Sequence, residues 1–231
     1  MRYERFNKND VDVWPAFTDF ITSVLLIIVL FMLGIFFSNI TRELLAAGNE
    51  FNTVKAKQMT VREKLSEIRG IEVQESGNLQ RIVLHVDNEG KGGILFDSGQ
   101  AVLKTEGKQL LEKVATVLEN LSSYYKTVQV EGHTDAHPIR SLQYPSNWEL
   151  SAARAGAVVS YLLEKRSLEP WRFSANGRGE YRPYNVPESD MRGNGAINSG
   201  RSGSNLPEYV VSHNKDDKAV LNRRIEIILI Y

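Results

Sequence analysis

From Phe20 to Phe37 the chain carries 18 residues without a charge, and Thr22 and Ser23 supply the polar side chains of the run. At a rise of about 1.5 Å per residue, this run plus Pro15 to Asp19 reaches the ~30 Å of a hydrocarbon core, which predicts one transmembrane helix over 14–37. Pro15 suits a first helical position, where its missing N–H needs no partner, and Trp14 just outside suits the headgroup layer. Beyond the membrane the period changes. Leu44, Ala47, Phe51, Val54, Gln58, Val61, Leu65 and Ile68 fall on a and d positions of a heptad, with Gln58 the polar residue at an a site. The spacing predicts a linker helix over 38–69 that pairs with a parallel copy. The alternative is that the stripe packs on the chain's own domain or on the membrane surface.

Gly70 closes that helix, and Ile71–Glu75 and Leu79–Asp87 read as strands joined by a turn at Gly77-Asn78. A helix over 98–121 follows, with Leu103, Leu110, Leu111, Val114, Val117, Leu118 and Leu121 inward, and then a strand over 127–131. A second helix, 147–166, is capped by Asn147 and buries Leu150, Ala153, Ala157, Val158, Tyr161 and Leu162. Strands over 171–176 and 223–231 complete an α+β sandwich with its helices against one sheet. Between Val186 and Val220 the sequence turns to Gly, Ser, Asn and Asp, which predicts a surface loop rather than packed structure. The expected organisation is therefore a tail over 1–13, the membrane helix, the linker and a soluble domain over 70–231.

Charge narrows the function. With 28 basic and 28 acidic residues the chain is neutral, and no basic run exceeds Arg223-Arg224, so the footprint of a nucleic-acid binder is missing. Without cysteine there is neither a disulfide nor a thiolate site. Arg2, Arg5 and Lys8 before the helix are matched by Arg42, Lys55 and Lys57 after it, so the count alone does not decide the orientation, although the nearer cluster favours a cytoplasmic N-terminus; no cleavage motif follows the apolar run, so the helix is expected to stay as an anchor.

Asp19 lies one turn inside the membrane entry, where an ionised carboxylate facing lipid costs up to ~3 kcal/mol at the midplane and less near the interface. Two readings fit. It is either an ion-carrying acid facing a partner, hydrogen-bonded by Thr22 and Ser23 at i+3 and i+4, or an acid held by the helix dipole and wetted by headgroups. In the soluble domain, His133, Asp135 and His137 spell H-x-D-x-H, but no fourth ligand accompanies them, and neither a metal site nor a cofactor is expected. A hydrolase elbow G-x-S-x-G is missing, so the chain is not expected to be an enzyme.

The segments ILFDSGQAVL (94–103), VEGHTDAHPI (130–139), SNWELSAARA (146–155), GRGEYRP (177–183) and NRRIEI (222–227) resemble, in order, the OmpA-like peptidoglycan-binding domain. WPAFTDFIT (14–22) resembles the membrane helix of MotB-type stator subunits, in which a Trp shortly before an Asp marks the ion-binding acid. The resemblance implies an inner-membrane, single-pass protein whose periplasmic domain grips the diaminopimelate of a peptidoglycan stem peptide. Asp135 would take the ammonium and Arg154 the carboxylate, with Thr134, Asn147 and Leu150 lining the site. It also implies a homodimer inside a ring of a multi-span, MotA-like or ZorA-like partner, driven by ion flow, with a proton on Asp19 and Thr22 beside it. The short tail and linker are similar to ZorB-like subunits of Zorya antiphage systems, which sets an antiphage role beside a flagellar one. A passive membrane-to-wall tether is the rival, and Asp19 discriminates, since a tether has no use for it.

Overall fold

The computed structural model describes residues 13–85, 94–139, 141–186 and 218–231, together with Met191 and Val210. The tail expected over 1–13 lies outside them except for Val13, as does most of the loop expected over 186–220. Helix α1 runs Trp14–Ser66 and crosses the boundary, at Thr53 and Val54, between two compact units of the chain.

In the first unit α1 is exposed along its described length, and a window of mean hydropathy 2.9 makes it long and apolar enough to cross a membrane. The second unit begins with the rest of α1, and here the heptad stripe changes meaning. Gln58, Val61 and Leu65 are fully buried in the domain's own core, and Val54 and Ile68 pack against it. Gln58 Nε2 donates to Gly77 O at 3.0 Å, Gln80 Nε2 donates to Gln58 O at 2.9 Å, and the Tyr231 hydroxyl donates to Gln80 Oε1 at 2.5 Å. The polar residue expected to fix the register of a dimer therefore turns its side-chain amide N–H to a carbonyl of its own chain. Over 54–68 the expected dimer seam is corrected to an intramolecular one.

Strands β1 (Ile71–Ser76), β2 (Leu79–His85), β3 (Thr127–Gly132), β4 (Phe173–Gly177) and β5 (Arg224–Ile230) form one sheet in the order β1-β2-β5-β3-β4. β3 and β4 are parallel and the remaining pairs antiparallel. Helices α2 (Thr105–Asn120) and α3 (Asn147–Lys165) bury Leu111, Val114, Leu118, Ala155, Val158 and Leu162 in one core with Ile82, Leu84, Val128, Val130, Ile225, Ile227 and Leu229. A short α4 (Lys218–Asn222) begins at the end of the stretch expected to be loop and leads into β5, and Val210 within that stretch is fully buried.

The α2 boundary differs from the expected 98–121 because the chain first turns. Gly99 has φ +68°, Phe96 bridges Leu103, and Lys104 N donates to Leu95 O at 3.0 Å in extended backbone. Trp171 belongs to a 3-10 turn over Pro170–Arg172, not to a strand.

The sheet's other face is charged. Glu131 on β3 stands directly opposite Glu226 on β5, a pairing of like charges that needs compensation. Arg178 and Arg182 reach Glu131 at 2.5 and 3.3 Å, Arg224 reaches Glu226 at 2.7 Å, and Arg81 lies 3.7 Å from Glu226. Arg224 is thus a buried structural charge.

Candidate functional site

The start of α3 and the segment after β3 come together because two glycines allow it. A Cβ on Gly132 would stand 2.1 Å from Ser151 O, and one on Gly177 2.7 Å from Ala152 N, so the helix presses backbone to backbone on β3 and β4. Ser151 Oγ donates to Trp148 O at 2.8 Å and accepts from Gly179 N at 3.0 Å, which ties the same turn to the loop after β4. Ser146, not Asn147, is the helix cap: its hydroxyl accepts from Trp148 N at 3.1 Å and pairs with Glu149. Asn147 is thereby released for another task. Its Nδ2 donates to His137 O at 3.0 Å and Asp135 O at 3.3 Å, holding the 135–137 segment over the helix start.

Asp135 is buried, and its carboxylate is engaged on both oxygens. Oδ1 accepts from His137 N at 3.0 Å, and Oδ2 accepts from Arg223 Nη1 at 2.7 Å with His137 Nδ1 at 3.3 Å. Thr134 N donates to Gly179 O at 3.0 Å, and the buried Thr134 hydroxyl has no hydrogen-bond partner among the described residues. Asn147, Leu150 and Arg154 follow at i, i+3 and i+7, on one face of α3, and all three are buried. Arg154 Nε donates to Gln100 O at 2.8 Å and Nη2 to Asp97 O at 3.1 Å, and its guanidinium lies 5.3 Å from the Phe96 ring centre. These bonds fix the plane of the fork and explain the turn over 96–104 that shortens α2.

Sequence reasoning missed Arg223 and Glu180. Glu180 is half-buried beside Asn147, and burial, with the Asp135 charge adding to it, holds its carboxyl above the usual range. The H-x-D-x-H spacing does not gather its three residues. His133 is buried with Glu131 and Glu226, each 3.7 Å away, while His137 is 80% exposed and meets Asp135. Glu131, His133 and Glu226 bring ligand atoms within 4.8 Å of one another, but four arginines already neutralise the carboxylates, so the cluster suits a charge network better than a cation. Burial, reinforced by Arg224, Arg182 and Arg178, holds His133 well below the ordinary imidazole range and keeps it neutral.

In the membrane helix, Thr22 Oγ1 donates to Thr18 O at 2.9 Å and Asp19 O at 3.0 Å, and Ser23 Oγ donates to Asp19 O at 2.7 Å. The hydroxyls expected to hold the Asp19 carboxylate instead serve backbone carbonyls of their own helix, a common fate of Ser and Thr within helices.

An apolar N-terminal helix long enough to cross a membrane, followed by a sheet backed by α2 and α3, is the architecture of an OmpA-like protein with one candidate span. The model of the OmpA family matches residues 95–193. The uncharacterized protein YtxE of Bacillus subtilis (strain 168) is 31% identical over 218 residues, covering 79% of this chain and 88% of that one. Motility protein B of the same organism is 37% identical over 93 residues, 40% of this chain and 35% of its own length. A solved MotB-like protein from Desulfovibrio vulgaris shares the fold with a TM-score of 0.57 at 20% identity, over 78% of this chain and 96% of that one. The chain belongs to the same family as YtxE, with an OmpA-like domain and MotB-type relatives.

Proposed function

We propose that the chain is a wall-anchored stator subunit of an ion-driven membrane motor. The observation that carries this reading is one chain with a lone acid inside an apolar helix and, in a separate unit, a buried carboxylate and guanidinium set around the start of α3. Asp19 carries the ion, which we take to be a proton. Protonation removes its charge, lowers the cost of apolar surroundings and changes its fit to a multi-span partner enclosing the helix. Thr22 supports Asp19 through its main-chain carbonyl rather than through its carboxylate. Two copies pair along the exposed stretch of α1 through Leu44, Ala47 and Phe51, with 54–68 excluded from the seam.

The soluble unit grips the peptidoglycan stem peptide in the periplasm. Asp135 takes the ammonium of diaminopimelate, exchanging one cation, Arg223, for another, so the pocket's charge balance is kept. Arg154, its plane set by two carbonyls, takes the carboxylate, and Thr134, Asn147 and Leu150 shape the space between. The name of the B. subtilis motility relative favours motility over antiphage defence as the setting. A passive tether is the second reading, and Asp19 speaks against it. Sedimentation of the full chain, in detergent, with purified peptidoglycan tests the anchoring half. Asp135→Ala and Arg154→Ala should abolish pelleting, while Asp19→Asn should leave it intact. Native-level pelleting of a folded Asp135→Ala chain would overturn the assignment.

A further inference from the structure

His137 combines a fixed main chain with an exposed side chain. Its N–H donates to Asp135 Oδ1 at 3.0 Å, its carbonyl accepts from Asn147 Nδ2 at 3.0 Å, and Pro138 after it restricts the backbone further. The ring is nevertheless 80% exposed, with Nδ1 3.3 Å from Asp135 Oδ2. Arg223 Nη1 reaches that same oxygen at 2.7 Å. Since Oδ1 is occupied by the main chain, Oδ2 is where Asp135 can exchange one cation for another. The charged groups around the ring come from three places: Asp135 on its own segment, Arg223 just before β5, and Glu180 in the loop after β4, beside Asn147. The start of α3 contributes the neutral Asn147 amide, and His133, on the same segment, is turned to Glu131 and Glu226 instead.

The geometry points to His137 as a proton-operated competitor for the ammonium of diaminopimelate, so that the wall grip loosens as the medium acidifies. The inference rests on the wall-binding reading and adds a regulating residue to the Asp135 end of the site. Histidine changes charge between about pH 5 and 8. Neutral, its ring offers Asp135 at most one ordinary hydrogen bond, and an incoming ammonium has Arg223 alone to displace as a cation. Protonated, the ring is a second cation at Oδ2, and its bond to the carboxylate is charge-assisted, roughly twice as strong as the neutral one. The ammonium must then displace two cations, and both repel it on approach. Burial sharpens the contest, because the Asp135 side chain is 9% exposed and little salt solution screens the charges that meet there. Proton and peptide therefore oppose each other, and by linkage each weakens the other by the same factor. Arg154 keeps its charge throughout this range, so the carboxylate end of the ligand is still held.

The test titrates the full chain in detergent, by calorimetry, with an N-acetylated stem tetrapeptide bearing diaminopimelate, at about pH 7.5 and about pH 5.5, on either side of the ordinary imidazole range. The native chain should bind about tenfold more weakly at the acid pH, the size of effect that one close charge contact makes. His137→Gln should bind with nearly the same affinity at both, and His137→Lys, charged at both, should bind at neutral pH as weakly as the native chain does in acid. Near-UV signals confirm that each variant is folded, and the lysine comparison at neutral pH keeps the test independent of any acid weakening of the fold through His133. Equal native affinities at the two pH values, or native-level binding by His137→Lys at neutral pH, overturn the proposal. So does an undiminished pH dependence in His137→Gln, which assigns the effect to Glu180, and so does loss of binding at both pH values in folded His137→Gln, which makes the ring part of the grip rather than its competitor. Failure of the native chain to bind the peptide at neutral pH instead removes the wall-binding reading on which the inference stands.

Discussion

Two stretches of α1 carry the same apolar heptad yet live in different surroundings. Up to Thr53 the helix is exposed throughout, with Leu44 at 68% and Phe51 at 57%, whereas Val61 and Leu65 are at 1% and 0% within their own domain. Periodicity identifies the face of a helix that will be covered, and it is silent on what covers it. The polar residue in the stripe resolves the matter. Gln58 needs a hydrogen-bond partner that an a-position copy of itself can supply in a coiled coil. Here the Gly77 and Leu79 carbonyls accept from its Nε2, at the β1–β2 turn and the start of β2. The soluble unit therefore begins near Val54 rather than near Gly70, and it uses the helix as part of its core.

The contrast can be broken most forcefully by truncating both stretches. Leu65→Ala should destabilise the soluble unit by about 2–5 kcal/mol, as expected for a fully buried leucine, while Leu44→Ala should change it by less than about 0.5 kcal/mol. Denaturant unfolding of the full chain in detergent, followed by near-UV signals of the domain's aromatics, reads both. Comparable losses at the two sites would erase the distinction. Disulfide trapping sharpens the same comparison, and the absence of native cysteines keeps it clean. Phe51→Cys should crosslink between copies under mild oxidation, whereas Val61→Cys should not, because its side chain is enclosed by its own core. Efficient trapping at Val61 would restore the coiled-coil seam.

The two faces of the sheet give a smaller, pH-dependent effect. The apolar face does not titrate, but the charged face holds His133 neutral by burial and three arginines. Its folded pKa is depressed, so the unfolded chain binds the proton more readily. The stability contribution is then present above the ordinary imidazole pKa of ~6.5 and is lost as pH falls below it, with a slope of at most about 1.4 kcal/mol per pH unit from this one group. Unfolding midpoints measured from pH 7.5 down to 5 should fall, and His133→Asn should flatten that fall. An unchanged slope in the variant would assign the acid sensitivity to other groups.

Much of this was legible in the sequence, for physical reasons that can be named. The apolar run, the period of α3 and the i, i+3, i+7 placement of Asn147, Leu150 and Arg154 are local patterns, and the structure reproduces them. The cap of α3 slipped by one residue because Ser and Asn are both good caps, and tertiary contact gave Asn147 to the 135–137 carbonyls. Gly132 and Gly177 carry no local signal, since their need for a hydrogen side chain comes from α3 lying across two strands. Arg223 and Glu180 reach the site from segments about 90 and 45 residues beyond Asp135, a proximity no spacing rule encodes. Thr22 and Ser23 show the converse failure: their spacing from Asp19 was right, but the main chain was the nearer acceptor.

The central claim is that one chain separates ion handling at Asp19 from wall binding around Asp135, and proton flux tests it most directly. Vesicles carrying the full chain with its multi-span partner are given a proton gradient, and internal pH is followed with a trapped dye. The account predicts flux in the native complex, a fall to background with Asp19→Asn, and native flux with Asp135→Ala, since no wall is present. Undiminished flux in the Asp19→Asn complex would contradict it and leave the chain a tether.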